Sequence, residues 1–124
     1  MRRPVLALLT ILALAAPAPA AEPDSAEIAE LKAIARKTQP TRDAWERCMA
    51  TYAKGRITTT KIPAAEIADK ALAACTTRER RLREVLAGEI GAARAGNVAT
   101  ALREIHRSNL IAAIEQLRRK RAAE

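Results

Sequence analysis

The sequence predicts an all-α fold, a small bundle of three to four helices that contains an antiparallel, disulfide-linked hairpin. Apolar residues recur every three or four positions along most of the chain, which is the period of an amphipathic helix. Gly and Pro residues stand between these periodic stretches, where helices commonly begin and end. Two cysteines, Cys48 and Cys75, lie on two consecutive stretches and are placed to join them.

The first 20 residues have the parts of a secretory signal in the usual order. Arg2 and Arg3 form a positive region, residues 5–16 are uncharged and rich in Leu and Ala, and Ala18-Pro19-Ala20 matches the small-x-small cleavage pattern. The apolar run of about 12 residues is shorter than the roughly 20 that span a bilayer. We therefore predict a signal peptide over 1–20, cleaved near Ala20, and a periplasmic or secreted protein. An uncleaved N-terminal anchor is the alternative.

The remaining residues, 21–124, are predicted to form one α-helical domain. The whole chain has 22 basic and 14 acidic residues; without Arg2 and Arg3, 20 basic residues remain and the formal charge falls from +8 to +6. Phe is absent, and there is one Trp and one Tyr, so that Ala, Ile, Leu and Val must supply most of the core. Such a core buries less apolar area per residue, which makes a covalent link valuable for stability.

Cys48 and Cys75 are the only cysteines. In an oxidising compartment, two such residues usually form an intramolecular disulfide. A redox-active pair favours the Cys-x-x-Cys spacing, which is absent, and a metal site needs further ligands where His106 is the only histidine. We expect a structural disulfide that encloses about 27 residues and contributes roughly 3.5 kcal/mol to stability in the chain-entropy model.

The first half of this domain predicts two helices. One covers 25–37, with Asp24 as its N-cap and Glu27 at the capping-box spacing. Thr38-Gln39-Pro40 then interrupts or kinks the chain. A second helix covers 41–54 and has the tightest helical spacing of apolar residues in the sequence. The residues on its apolar face are Trp45, Cys48, Met49 and Tyr52.

The second half predicts two longer helices. One runs from 63 to 92, and its weakest point is a charged turn at Arg78 and Glu79. The last, over 98–121, has Asn97 as its N-cap, a broad apolar face and a basic end.

The hairpin over 41–92 is expected to be antiparallel, because its connecting loop is short. With Cys48 facing Cys75, this register places Trp45 near Arg78. The guanidinium of Arg78 then lies over the indole or extends past it to water.

Catalytic and metal-binding sites are not indicated. His106 has no carboxylate or nucleophile at a suitable helical spacing, and no thiol is spare. The glycines match no phosphate-binding or dinucleotide-binding motif. We expect a protein that is not an enzyme and that uses no cofactor or metal.

Two surfaces remain as candidates for function. Trp45, Met49 and Tyr52 form either an interaction surface or core packing beside the disulfide. Basic residues cluster twice, and each cluster is either a solvated face or a binding surface for an anionic partner. Nucleic acid is disfavoured, because no aromatic residues are interleaved to stack bases; anionic phospholipid, lipopolysaccharide or an acidic envelope protein fits better. The basic residues are Arg78, Arg80, Arg81, Arg83, Arg118, Arg119, Lys120 and Arg121.

The motifs Trp45-x-x-Cys48 and Ala71-Leu-Ala-Ala-Cys75 resemble those of a loose group of small exported bacterial helical proteins of unknown function. The resemblance covers about residues 41–90 and implies a disulfide-linked helical hairpin, without an activity. Together, these features predict a non-enzymatic envelope protein that acts by surface interaction, as a protein-interaction or chaperone-like module. The alternative is a basic binder of the anionic envelope surface.

Overall fold

The computed structural model describes residues 24–58 and 61–124; the predicted signal peptide over 1–20 lies outside them. Within the described residues the chain is helical, with no strand, and none of the helices is long and apolar enough to cross a bilayer. This confirms the predicted fold class. The helices are α1 (Ser25–Lys54), α2 (Ala64–Ala74), α3 (Thr76–Ile90) and α4 (Ala92–Ala122).

Of the two outcomes predicted at Pro40, an interruption or a kink, the interruption is wrong, because α1 continues through this residue. Proline has no N–H and leaves a carbonyl of the preceding turn without its usual donor. Side chains reinforce this turn: the Thr38 hydroxyl donates to the carbonyls of Ile34 at 3.0 Å and Ala35 at 3.3 Å, and the Arg42 guanidinium donates to that of Ala35 at 3.0 Å. These bonds do not reach Arg36, whose carbonyl Pro40 leaves without its usual donor, and we attribute the continuity of α1 to the packing of this turn, in which Thr38 is buried.

The helix predicted over 63–92 is divided at Cys75, which has φ −102° and ψ 20°. The Thr76 hydroxyl donates to the carbonyl of Ala73 at 2.7 Å, which satisfies one of the free carbonyls at the end of α2. The bend therefore falls at the disulfide, a few residues before the charged turn that the sequence marks as weakest.

The start of the last helix also differs from the prediction. Gly91 has φ +86°, a left-handed conformation that glycine adopts without steric cost, and α4 begins directly after it at Ala92. Asn97 lies inside α4 and is not its N-cap.

The bent pair α2–α3 lies between α1 and α4 and packs against both. Its direction is antiparallel to each: Lys37 of α1 pairs with Glu89 near the end of α3 at 3.4 Å, and Arg107 of α4 pairs with Asp69 of α2 at 2.7 Å. α1 and α4 contact each other at few positions. The core consists mainly of Trp45, Met49, Ile67, Ala71, Leu72, Leu82, Leu86, Ala95 and Ile114.

The predicted disulfide is present between Cys48 and Cys75, with the two Cα atoms 6.0 Å apart. It joins the C-terminal part of α1 to the bend between α2 and α3. Cys75 is buried, and Cys48 is half-buried beside the core cluster.

One charged group of the predicted weak turn is buried. Glu79 is 6% exposed, and the guanidinium of Arg103 on α4 donates to its two carboxylate oxygens at 3.1 and 3.0 Å. The Arg103 side chain is 41% exposed, so that water solvates this end of the pair. Because Arg103 compensates its charge, the Glu79 carboxylate is tolerated on the buried face of α3, and the ion pair links α3 to α4.

We expect the two members of this pair to differ in their effect on stability. Arg103→Ala leaves the Glu79 carboxylate buried without its partner and should lower the free energy of unfolding by about 2–3 kcal/mol. Glu79→Gln leaves a guanidinium that water can solvate and should cost about 1 kcal/mol. Urea denaturation followed by circular dichroism measures both. Arg81→Ala is the control, since its ion pair with Glu84 is exposed and worth under about 0.5 kcal/mol. Equal losses at Arg103 and Arg81 would contradict this account.

Candidate functional site

The residues predicted as an interaction surface lie mainly in the core. Trp45 is 0% exposed and Met49 is 3% exposed, whereas Tyr52 is half-buried with the guanidinium carbon of Arg56 3.5 Å from its ring centroid. Of the two interpretations that the sequence left open, core packing beside the disulfide describes Trp45.

The Trp45 ring also has a different neighbour from the one expected. His106 of α4 meets it edge to face, with the ring centroids 4.9 Å apart. Arg78 is exposed, and no cation–π contact between it and the indole occurs among the described residues, so of the two predicted arrangements its extension to water agrees better. The contact with His106 is one of the few between α1 and α4, and the sequence carries no local signal for it.

An open groove runs between α1 and α4; we call it the α1/α4 groove. Its first section has a volume of about 450 Å³ and is lined by residues that include Arg42, Glu46, Met49, Leu102, Ile105 and His106. Its second section, of about 380 Å³, is lined by residues that include Lys54, Ile57, Ile114, Leu117 and Arg121. Both sections share Ala50, Leu110 and Ala113, so that they form one continuous surface.

Apolar side chains are accessible in both sections of the groove. Ile105 is 53% exposed and Leu117 is 44% exposed. The broad apolar face predicted for the last helix is therefore only partly covered: Ile114 is buried, whereas these two residues face the opening.

Polar groups gather at the Arg42 end of the groove. His106 Nε2 lies 3.6 Å from a carboxylate oxygen of Glu46. Burial lowers the pKa of His106, Glu46 raises it by less, and Arg42 lowers it further, which favours the neutral imidazole. His106 Nε2, Trp45 Nε1 and Arg42 Nε are buried and have no hydrogen-bond partner among the described residues. No group of three metal-ligating side chains occurs in the part of the chain that the structure describes.

The first basic cluster does not form one face. Arg78, Arg80, Arg81 and Arg83 are all exposed on α3. Because successive residues of an α-helix are about 100° apart, these four positions are spread around the helix. Arg78 and Arg81 border a small cleft with Pro40 of α1, whereas Arg80 and Arg83 do not.

The second basic cluster divides into one anchoring residue and three exposed ones. The Nε of Arg118 donates to the carbonyl of Ile57 at 3.3 Å, which fastens the end of α4 to the turn after α1. Arg119, Lys120 and Arg121 are exposed, and Arg121 borders the α1/α4 groove.

Comparison with known proteins finds no family model that matches the chain, no similar curated protein and no solved structure of matching fold. The resemblance to small exported helical proteins therefore stays a prediction, and the α1/α4 groove is the feature from which a function is argued.

Proposed function

We propose that this protein is a non-enzymatic, exported protein-interaction module that binds an amphipathic helix of an envelope partner in the α1/α4 groove. The observation that carries the proposal is the α1/α4 groove itself, which is continuous and partly apolar and lies between two helices, α1 and α4, that contact each other at few positions. A chaperone-like role, in which the groove holds apolar segments of several clients, is the broader form of the same proposal.

The dimensions of the groove suit a helix. Along α1 it extends from Arg42 to Lys54, about 18 Å at 1.5 Å per residue, and it continues to Ile57 in the turn beyond, which leaves room for a partner helix of at least about 12 residues. Apolar side chains at intervals of three and four on such a helix would meet Ile105 and Leu117 as well as the floor at Leu110. Exposed apolar side chains in a concave surface are typical of peptide-binding sites.

The charges around the groove favour an acidic partner. Arg42 lies at one end, and Lys54 and Arg121 lie at the other, against the single carboxylate of Glu46. The net charge of the chain has the same sign. A helix with an apolar stripe flanked by Asp or Glu therefore has the complementary chemistry, which affects both the rate and the specificity of association.

Synthetic helical peptides of about 16 residues test this proposal. One peptide has a Leu stripe flanked by Glu, and its matched control has Lys in place of every Glu; neither contains Trp. Binding is followed by calorimetry and by the fluorescence of Trp45, the only tryptophan, which contacts His106 beside the groove. We expect the Glu peptide to bind at least about tenfold more tightly than the Lys peptide.

The site is tested by a substitution in the middle of the groove. Ala113→Arg fills the section shared by both halves and should weaken binding of the Glu peptide at least about tenfold. Ala112→Arg adds the same charge at the neighbouring exposed position outside the groove and should leave the affinity unchanged. Absence of binding, or equal affinity for both variants, would reject the groove as the site.

Phosphatidylglycerol vesicles form a further arm of the same experiment. One outcome is that binding to these vesicles is lost as the salt concentration rises to the physiological range and yet is unaffected by Ala113→Arg. This result would favour the alternative function, a basic surface that binds the anionic envelope. That alternative is attachment of exposed Arg119, Lys120 and Arg121 to an anionic envelope surface.

A further inference from the structure

The first part of α1 extends beyond the rest of the bundle. The ion pair between Lys37 and Glu89 joins α1 to the last turn of α3, and the chain reverses direction shortly afterwards at Gly91. Residues 24–32 are all exposed, and the first buried residue of α1 is Thr38. We call residues 24–36 the arm. It is a helical projection whose residues are exposed apart from Ala33 and Ile34, which are half-buried.

The arm continues the apolar face that α1 buries elsewhere. Leu31 precedes Met49 by about five helical turns, at 3.6 residues per turn, and therefore lies on the same line of the helix. Met49 is 3% exposed in the core, whereas Leu31 is 58% exposed and Ile28 is 40% exposed. Ile34, beside this line, is half-buried. The same stripe is thus covered by the core in the bundle and exposed along the arm.

The arm is complementary to itself when two copies run antiparallel. A two-fold axis at Leu31 sets this residue against its own copy and sets Ile28 against Ile34 of the second chain. The acidic residues, Asp24, Glu27 and Glu30, stand in the first half of the arm, and the basic residues, Lys32 and Arg36, stand in the second. Antiparallel pairing therefore brings acidic positions opposite basic ones, whereas parallel pairing brings like charges together.

We propose that the arm is a homodimerisation surface, on which the arms of two copies pair antiparallel around Leu31. The occupant of the exposed stripe is a second copy of this chain, since charge and apolar pattern match under the same two-fold axis. The paired surface is small compared with a standard interface of about 800 Å² per partner, so the dimer is weak and depends on protein concentration. The proposal does not depend on the α1/α4 groove.

Cysteine cross-linking tests the geometry directly, because both native cysteines are in the disulfide. The full chain with Leu31→Cys should form a covalent dimer under mild oxidation, since the two introduced thiols meet at the axis. The control Ala29→Cys places an exposed thiol about 200° away around the same turn and should give at least about tenfold less dimer. Ile28→Cys distinguishes parallel from antiparallel pairing. In the antiparallel arrangement its two copies lie about 9 Å apart along the helix axis and should cross-link poorly.

Sedimentation equilibrium supplies the second measurement. The unmodified chain should show a monomer–dimer equilibrium, and Leu31→Glu should raise the dissociation constant at least about tenfold relative to Ala29→Glu, which adds the same charge to the opposite side. A monomer throughout the accessible concentration range would overturn the proposal. Efficient cross-linking of Ile28→Cys would also overturn it, because it indicates a parallel pair. Cross-linking of Leu31→Cys to a cysteine placed at Ala113 would overturn it as well, because it indicates an arm that lies in the α1/α4 groove of the second copy.

Discussion

Replacement of Cys48 and Cys75 by Ala together is expected to lower the free energy of unfolding by about 3.5 kcal/mol. The bridge joins residues 27 positions apart and so restricts the conformations of the unfolded chain, and its removal restores that conformational entropy. Ala is the appropriate replacement because Cys75 is 1% exposed, so that Ser would bury a hydroxyl. For a domain with a total stability of about 5–10 kcal/mol, this is a large share.

Thermal denaturation by circular dichroism checks this prediction, with an expected fall in Tm of roughly 15–25 °C. The unmodified chain measured in excess reductant is the matched control, since it loses the bond and keeps both sulfur atoms. The two samples should agree to within about 1 kcal/mol. Retention of the original Tm in both would show that the helices hold the hairpin without the bridge.

Truncation of Trp45 is expected to have an effect of similar size. The side chain is fully buried between the disulfide region of the core and the His106 ring, and Trp45→Ala should lower the free energy of unfolding by about 3–5 kcal/mol. Trp45→Phe keeps an aromatic ring and removes an indole N–H that has no hydrogen-bond partner among the described residues. Because Phe is smaller than Trp and leaves part of this buried space empty, we expect Trp45→Phe to cost about 1–2 kcal/mol, well below the cost of Trp45→Ala.

This pair of variants separates a core role for Trp45 from a role in binding. Urea unfolding followed by far-ultraviolet circular dichroism is suitable, because that signal does not depend on the indole. If Trp45 were a surface contact, Trp45→Ala would change stability by no more than about 0.5 kcal/mol. If its N–H had a structural partner, Trp45→Phe would approach the cost of Trp45→Ala.

Features that depend on neighbouring residues were predictable from the sequence. The capping box at Asp24 and Glu27 is present, and α1 ends at Lys54 before Gly55 as expected. The bridge between Cys48 and Cys75 was also predictable, because cysteine number and the expected compartment leave few alternatives. Each of these conclusions uses residues within one or two turns, or a covalent bond.

Predicted helix boundaries were wrong where packing or a backbone bend outweighed the general rule. Pro40 predicts an interruption or a kink, but α1 continues through it in a turn where Thr38 is buried. Asn97 is a good N-cap by type, yet Gly91 already provides the left-handed turn from which α4 starts. Residue preferences at single positions do not carry this information.

By itself, the sequence determined the helical class, the antiparallel hairpin and its covalent link, since hydrophobic period, cap spacing and two thiols are sufficient for these. Only the tertiary structure decided that Trp45 meets His106, that Arg103 neutralises Glu79, and that α1 and α4 leave a groove between them. Those features depend on how each helix is rotated and how far it lies from the others. Both quantities result from packing between residues distant in sequence, which the period of one helix does not encode.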